Sequence, residues 1–225
     1  MASNHYESNG VLVLKTVTPV IEALFGPFDL KRDEPGEGRV YIRKGSEEFD
    51  PQWDDILAGL QRLAADRAIA PLGDDAKAHI LALRPHFERS VTPEIVKLIM
   101  GIDFDNSADL SDLFYLALLF DDGHGLTAMD IEGCWFSGKP RLFEFGGSGL
   151  YRGRHASVYG SSKEARDLGA KVDLALASND QELAAKHLTD HFNMLLDGVV
   201  DEAVRMALTR NVAAALAAAT GCTQS

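Results

Sequence analysis

Leu113 to Gly160 reads LFYLALLFDDGHGLTAMDIEGCWFSGKPRLFEFGGSGLYRGRHASVYG. Four runs rich in apolar and aromatic residues are cut by Asp121-Asp122-Gly123-His124-Gly125, by Ser137-Gly138-Lys139-Pro140 and by Gly146-Gly147-Ser148-Gly149. Short apolar runs bounded by Gly, Pro and Asp predict strands joined by turns. The stretch therefore predicts a central antiparallel β-meander over about 113–160.

Upstream, Val11 to Thr18 and Arg39 to Arg43 read as two further strands, with a turn-rich loop from Asp33 to Gly38 between them. Asp50-Pro51 has the chemistry of a helix start, Asp as N-cap and Pro at the first helical position. Trp53, Ile56, Leu57, Leu60, Leu63 and Ala64 follow on one helical face. Asp74 to Arg84 fits helix or strand, and Thr92-Pro93-Glu94 opens a short helix. Downstream, Ser161 and Glu164 have capping-box spacing, and Asn179 with Glu182 repeats it loosely. Two or three helices are expected from 163 to 219, interrupted or weakened at Gly198. Helices flanking a strand-rich centre, without βαβ alternation, predict an α+β fold with a C-terminal helical segment. One domain over residues 1–225 is expected, with residues 1–10 and 220–225 flexible.

The net charge of -12 argues against nucleic-acid binding, which needs a basic surface, and against an anionic membrane surface. No apolar run approaches the length of a membrane span. The two cysteines, Cys134 and Cys222, form no metal or disulfide motif, and Cys134 in a strand-like run is expected to be buried. The N-terminus lacks the pattern of a signal peptide. A cytoplasmic protein is expected.

Between Lys97 and Lys139 there is no Lys or Arg, while Asp103, Asp105, Asp109, Asp112, Asp121, Asp122, Asp130 and Glu132 fall in that interval. Such a block either solvates loops or docks a basic partner. Asp103, Asp105, Asp109, Asp112, Asp121 and Asp122 are the candidate partner-binding residues. The alternating oxygens from Asp103 do not make a calcium loop, because Ala108 and Phe114 stand where Gly and Glu are needed. Ser107 and Ser111 read as cap or turn residues.

A second candidate is Gly146, Gly147, Gly149, Tyr151, Arg152, Arg154 and His155. Glycine backbone N–H groups with Arg and His donors suit an anion, and the same glycines equally suit a hairpin turn with at least one positive φ. A third is His187-Leu-Thr-Asp190-His191, two imidazoles at i and i+4 on one helix face. The order is that of the H-x-x-E-H metalloprotease pattern with Asp replacing Glu. Two ligands alone hold zinc weakly, and no third is at a fixed spacing, so no tight metal and no cofactor are expected. Ser148 lacks the second glycine of a nucleophile elbow, since Leu150 follows it by two.

The residues thus favour an acidic protein-binding module, of the kind in which an immunity or inhibitor protein occupies a basic partner. The alternative is a metal-dependent or anion-binding enzyme using His187, His191 and the Gly146–His155 loop.

Overall fold

The computed structural model describes residues 4–45, 49–71, 73–87, 100–139 and 145–219. The expected helix at Thr92 and the terminal residues 220–225 lie outside them. The fold is α+β, with antiparallel strands, flanking helices and helices at the C-terminal end. The chain divides into two compact units, residues 1–145 and 146–225.

In the first unit, β1 (Asn4–Val13) is flanked by β3 (Arg39–Lys44) and β4 (Ala128–Ser137). β2 (Lys31–Gly36) lies outside β3, and every pairing is antiparallel. β2 and β3 join through Glu37 and Gly38, both at positive φ (56° and 78°), the requirement of a type I′ hairpin. The segment read as a loop from Asp33 is therefore the end of a strand plus its turn. The sequence-expected strand at Val11 stops at Val13, and Pro19 opens α1 (Pro19–Phe25) with Thr18 as N-cap. The expectation of a flexible N-terminus is corrected for Asn4 to Gly10. These residues sit in the sheet, paired along both edges of β1 over Ser8 to Val13. Polar residues lie on both faces of this part of the strand, and the buried Ser8 is accommodated by donating its Oγ–H to Lys44 O at 2.7 Å.

The alternation is clean. Leu12, Val40, Ile42, Met129 and Ile131 are buried, while Asn9, Arg43, Asp130 and Glu132 on the opposite face are exposed. α1 packs against α2 (Trp53–Asp66) and α4 (Leu110–Leu119), and α2 against α3 (Ala76–Leu83). The core of this unit holds Phe25, Phe28, Phe114 and Phe120, each fully buried. α2 starts two residues later than Asp50-Pro51 suggested. Gln52 is the N-cap, and its N–H donates to Asp55 Oδ2 at 2.8 Å. The ambiguous 74–84 segment is helical because Asp75 caps it, accepting from Ala78 N–H at 2.6 Å.

The first run of the quoted stretch is also corrected: it is helix α4, and the strands start at Ala128. Leu110, Leu113, Phe114, Leu116, Ala117 and Leu119 are all buried. A helix enclosed on nearly every side shows no amphipathic period, so its sequence looks like a buried strand. The decisive signal was Asp109, whose carboxylate accepts from Ser111 and Asp112 N–H at 2.7 and 3.3 Å as N-cap.

The second unit begins within β5 (Phe145–Gly153), which pairs antiparallel with β6 (Ser157–Ser161). α5 (Ser162–Ala177) follows directly. Its capping box is formed as expected, Glu164 N–H to Ser161 Oγ at 3.2 Å and Ser161 N–H to Glu164 Oε2 at 2.9 Å. Asn179 is not a cap. It takes a left-handed φ of 57° after α5, and Asp180 caps α6 (Gln181–Asp197) through Leu183 N–H at 2.9 Å. Gly198 ends α6, and α7 (Glu202–Ala219) starts after a short link. That link is held by the hairpin, with Ser157 N–H to Gly198 O at 2.8 Å and Val200 N–H to His155 O at 3.0 Å.

Candidate functional site

The charge is unevenly shared. Residues 1–145 carry 14 Lys and Arg against 25 Asp and Glu, and residues 146–225 carry 8 against 9, so the first unit holds a net -11 of the -12. The acidic block lies in that unit. Asp103, Asp105 and Asp109 are exposed, and Asp112 is half-buried in the first turn of α4.

The loop bearing the first three is anchored at several points. Phe104 packs on Trp53 with ring centroids 4.7 Å apart. Ala108 N–H donates to Pro51 O at 2.9 Å, and Trp53 N–H to Asn106 O at 3.3 Å. Asp103 itself accepts from Asp105 N–H at 3.0 Å. A polar cluster completes the anchoring. Ser107 Oγ donates to Asp50 Oδ1 at 2.6 Å, and Lys44 Nζ lies 3.2 Å from the same carboxylate oxygen. Lys44 Nζ also donates to Ser107 Oγ at 2.9 Å and to Ala108 O at 3.2 Å. Ser107 thus works as a tie rather than as a cap.

Partial burial pushes the Asp50 carboxyl upward. The Ser107 hydrogen bond, the Lys44 charge and bonds from Lys44 and Gln52 outweigh this and hold it below its ordinary value of 3.8. A carboxylate lowered on folding adds stability above its unfolded pKa and loses it as pH falls through the folded one. The stability gap between wild type and Asp50→Asn is therefore expected to be constant near neutrality and to close below about pH 4. Urea midpoints over a pH series measure it, and a pH-independent gap would show that the charge on Asp50 contributes nothing.

The other two candidate aspartates turn into the fold. The Asp121 side chain is only 7% exposed and accepts from Gly123 N–H at 2.9 Å. Asp122 Oδ2 accepts from Val20 N–H at 3.2 Å, capping the first turn of α1 across 102 residues. Asp130 and Glu132 lie instead on the open sheet face. There Glu132 and Arg43 flank Asn9, and Asp130 and Tyr41 flank Val11. His5 stacks on Phe136 at 4.9 Å at the far end of the same face. Cys134 points outward beside them, correcting the expectation that it is buried. Its strand is correct, but its face was misjudged, since alternation places 134 with the exposed 132 and 136.

In the second unit, the Gly146–Gly149 run is part of strand β5 rather than a turn. The glycines at positive φ among the described residues are Gly36, Gly38, Gly123 and Gly125, so the expected positive φ falls elsewhere. Tyr151 is exposed opposite Val158, Arg152 and Arg154 are half-buried, and His155 is exposed at the hairpin end. His187 and His191 are both half-buried on α6, which also carries the buried Ala184 and Leu196. Among the described residues, no three or more His, Cys, Asp or Glu side chains are grouped to hold a metal ion. No described helix is long and apolar enough to cross a membrane.

Sequence reading missed one concavity, a cleft of about 420 Å³ between residues 14–17 and the β2–β3 hairpin. Lys15, Arg32 and Arg39 line it together with Asp33 and Glu37, and Arg32 is already engaged by Glu22 at 2.6 Å. Its residues come from two short stretches, 14–17 and 32–40, that share no motif, and the strand pairing rather than the sequence brings them together. No protein-family model, curated protein or solved structure matches the chain.

Proposed function

We propose that the protein is a binding module whose first unit docks a basic protein partner, as an immunity or inhibitor protein does. The observation that carries this reading is the anchored acidic loop, which holds Asp103, Asp105 and Asp109 exposed while the nearby Lys44 is committed inward to Asp50 and Ser107. A loop held in place before binding loses little freedom on association. Exposed carboxylates on a strongly acidic unit accelerate encounter with a basic surface. Asp112 belongs to the same surface at the start of α4. Asp121 and Asp122 drop out of the docking set because neither is exposed: both are tucked against the fold, where their carboxylates accept from Gly123 and Val20 N–H.

The test replaces Asp103, Asp105, Asp109 and Asp112 together by Asn. Asn keeps an oxygen acceptor, so the cap at 109 and the turn at 103 survive while four charges go. Association with the basic protein captured from the native host is then followed at rising salt. The on-rate at low salt is expected to fall roughly tenfold or more, with a shallower salt dependence. An unchanged rate and salt slope would overturn the reading.

A further inference from the structure

We propose that the second unit is a self-association surface, covered in solution by the same unit of a second copy of this chain. Among the described residues, 14 of the 19 exposed large hydrophobic side chains lie beyond residue 145, and the buried apolar side chains of that unit are Ala175, Ala184 and Leu196 alone. Three small or medium core residues contribute a few kcal/mol at most, against the ordering cost of a unit this long. α7 has no buried residue over 18 positions. A helix of that length is marginal in water unless an apolar face is covered.

The exposed side chains form stripes. Leu188 and Leu195 are seven positions apart on α6, 53% and 38% exposed, and Val204, Leu208 and Leu216 follow four-residue steps along α7. Of the ten such side chains on α5, α6 and α7, about half exposed, Leu174 and Leu176, and likewise Val204 and Met206, stand two positions apart on opposite helix sides, so at most eight share one face, on the order of 500 Å² of apolar surface. A stable interface needs about 800 Å² per partner, of which roughly 60% is apolar. The area therefore matches a dimer.

Charge selects the occupant. The unit carries 8 cations and 9 carboxylates, so it neither repels its own copy nor prefers a partner of one sign. The acidic first unit does prefer one sign, and its docking does not depend on this surface. Two identical patches brought together about a two-fold axis give an interface with matching apolar stripes on both sides.

Sedimentation velocity on the full chain over a wide concentration range tests the proposal. A species of twice 24.4 kDa is expected, dissociating on dilution. The double variant Leu188→Glu with Leu208→Glu is expected to weaken the dimer at least about a hundredfold, since two carboxylates per copy would enter an apolar contact. The exposed Leu81 of the first unit, changed to Glu, is expected to leave the dimer intact. A wild-type chain that is monomeric at every concentration overturns the proposal, and this readout needs no variant to fold. A double variant that stays as dimeric as wild type overturns it equally.

Discussion

Gly59→Ala is expected to destabilise the protein by about 3 kcal/mol, or roughly 6–12 °C in melting temperature. The sign makes the result informative. Gly in a helix interior is normally a liability, and Ala there adds about 1 kcal/mol of stability by propensity alone. Gly59 lies in the middle of α2, where that helix crosses α1. A Cβ at Gly59 would run into the backbone of Ala23, with the Ala23 Cα only 2.8 Å and its carbonyl carbon 2.9 Å away. Backbone cannot swing aside as a side-chain tip can, so α1 and α2 would have to separate. The layer over the sheet depends on that crossing. A melting temperature equal to wild type, or higher, would show that the two helices are less tightly apposed.

His124→Leu is the second substitution with a large expected effect, about 2–5 kcal/mol. His124 is fully buried. Its Nε2 lies 3.0 Å from Ala117 O, and its Nδ1 accepts from Leu126 N–H at 2.8 Å. Both bonds are made at once by an imidazole with its proton on Nε2. Ala117 is in the last turn of α4, where carbonyls have no helical donor, so the ring closes the helix and orients the turn into β4. Leu fills similar space without a polar atom, so the substitution removes only the bonding. Chemical denaturation followed by circular dichroism reads the difference. A midpoint unchanged from wild type would mean that water replaces the ring.

The contrast between local and distant chemistry explains what the sequence revealed. The Ser161–Glu164 capping box was legible because its partners are three residues apart and need no tertiary context. The C-terminal helices were legible for the same reason. The Lys44–Asp50–Ser107 cluster was not, since Ser107 meets Asp50 across 57 residues and Lys44 across 63. Asp121 and Asp122 looked like docking residues in a list of acids, but the fold directs them to backbone N–H groups. Only coordinates separate an exposed carboxylate from one tucked against the fold. The helical run at 110–119 was misread because burial on nearly every side erases periodicity, and the cap at Asp109 was the one local clue.

The central place of β1 has a consequence for synthesis. β1 pairs with β3 along one edge, and that partner follows within about thirty residues. Along the other edge Val13 faces Ala128 and Asn4 faces Ser137. At translation rates of about 5–20 residues per second, β4 trails β1 out of the ribosome by roughly 6–25 s. For that interval the nascent sheet presents a bare row of backbone donors and acceptors, a template for any extended chain nearby. A ribosome stalled before Ala128 therefore holds a β1 edge that only a chaperone or a wrong strand can cover.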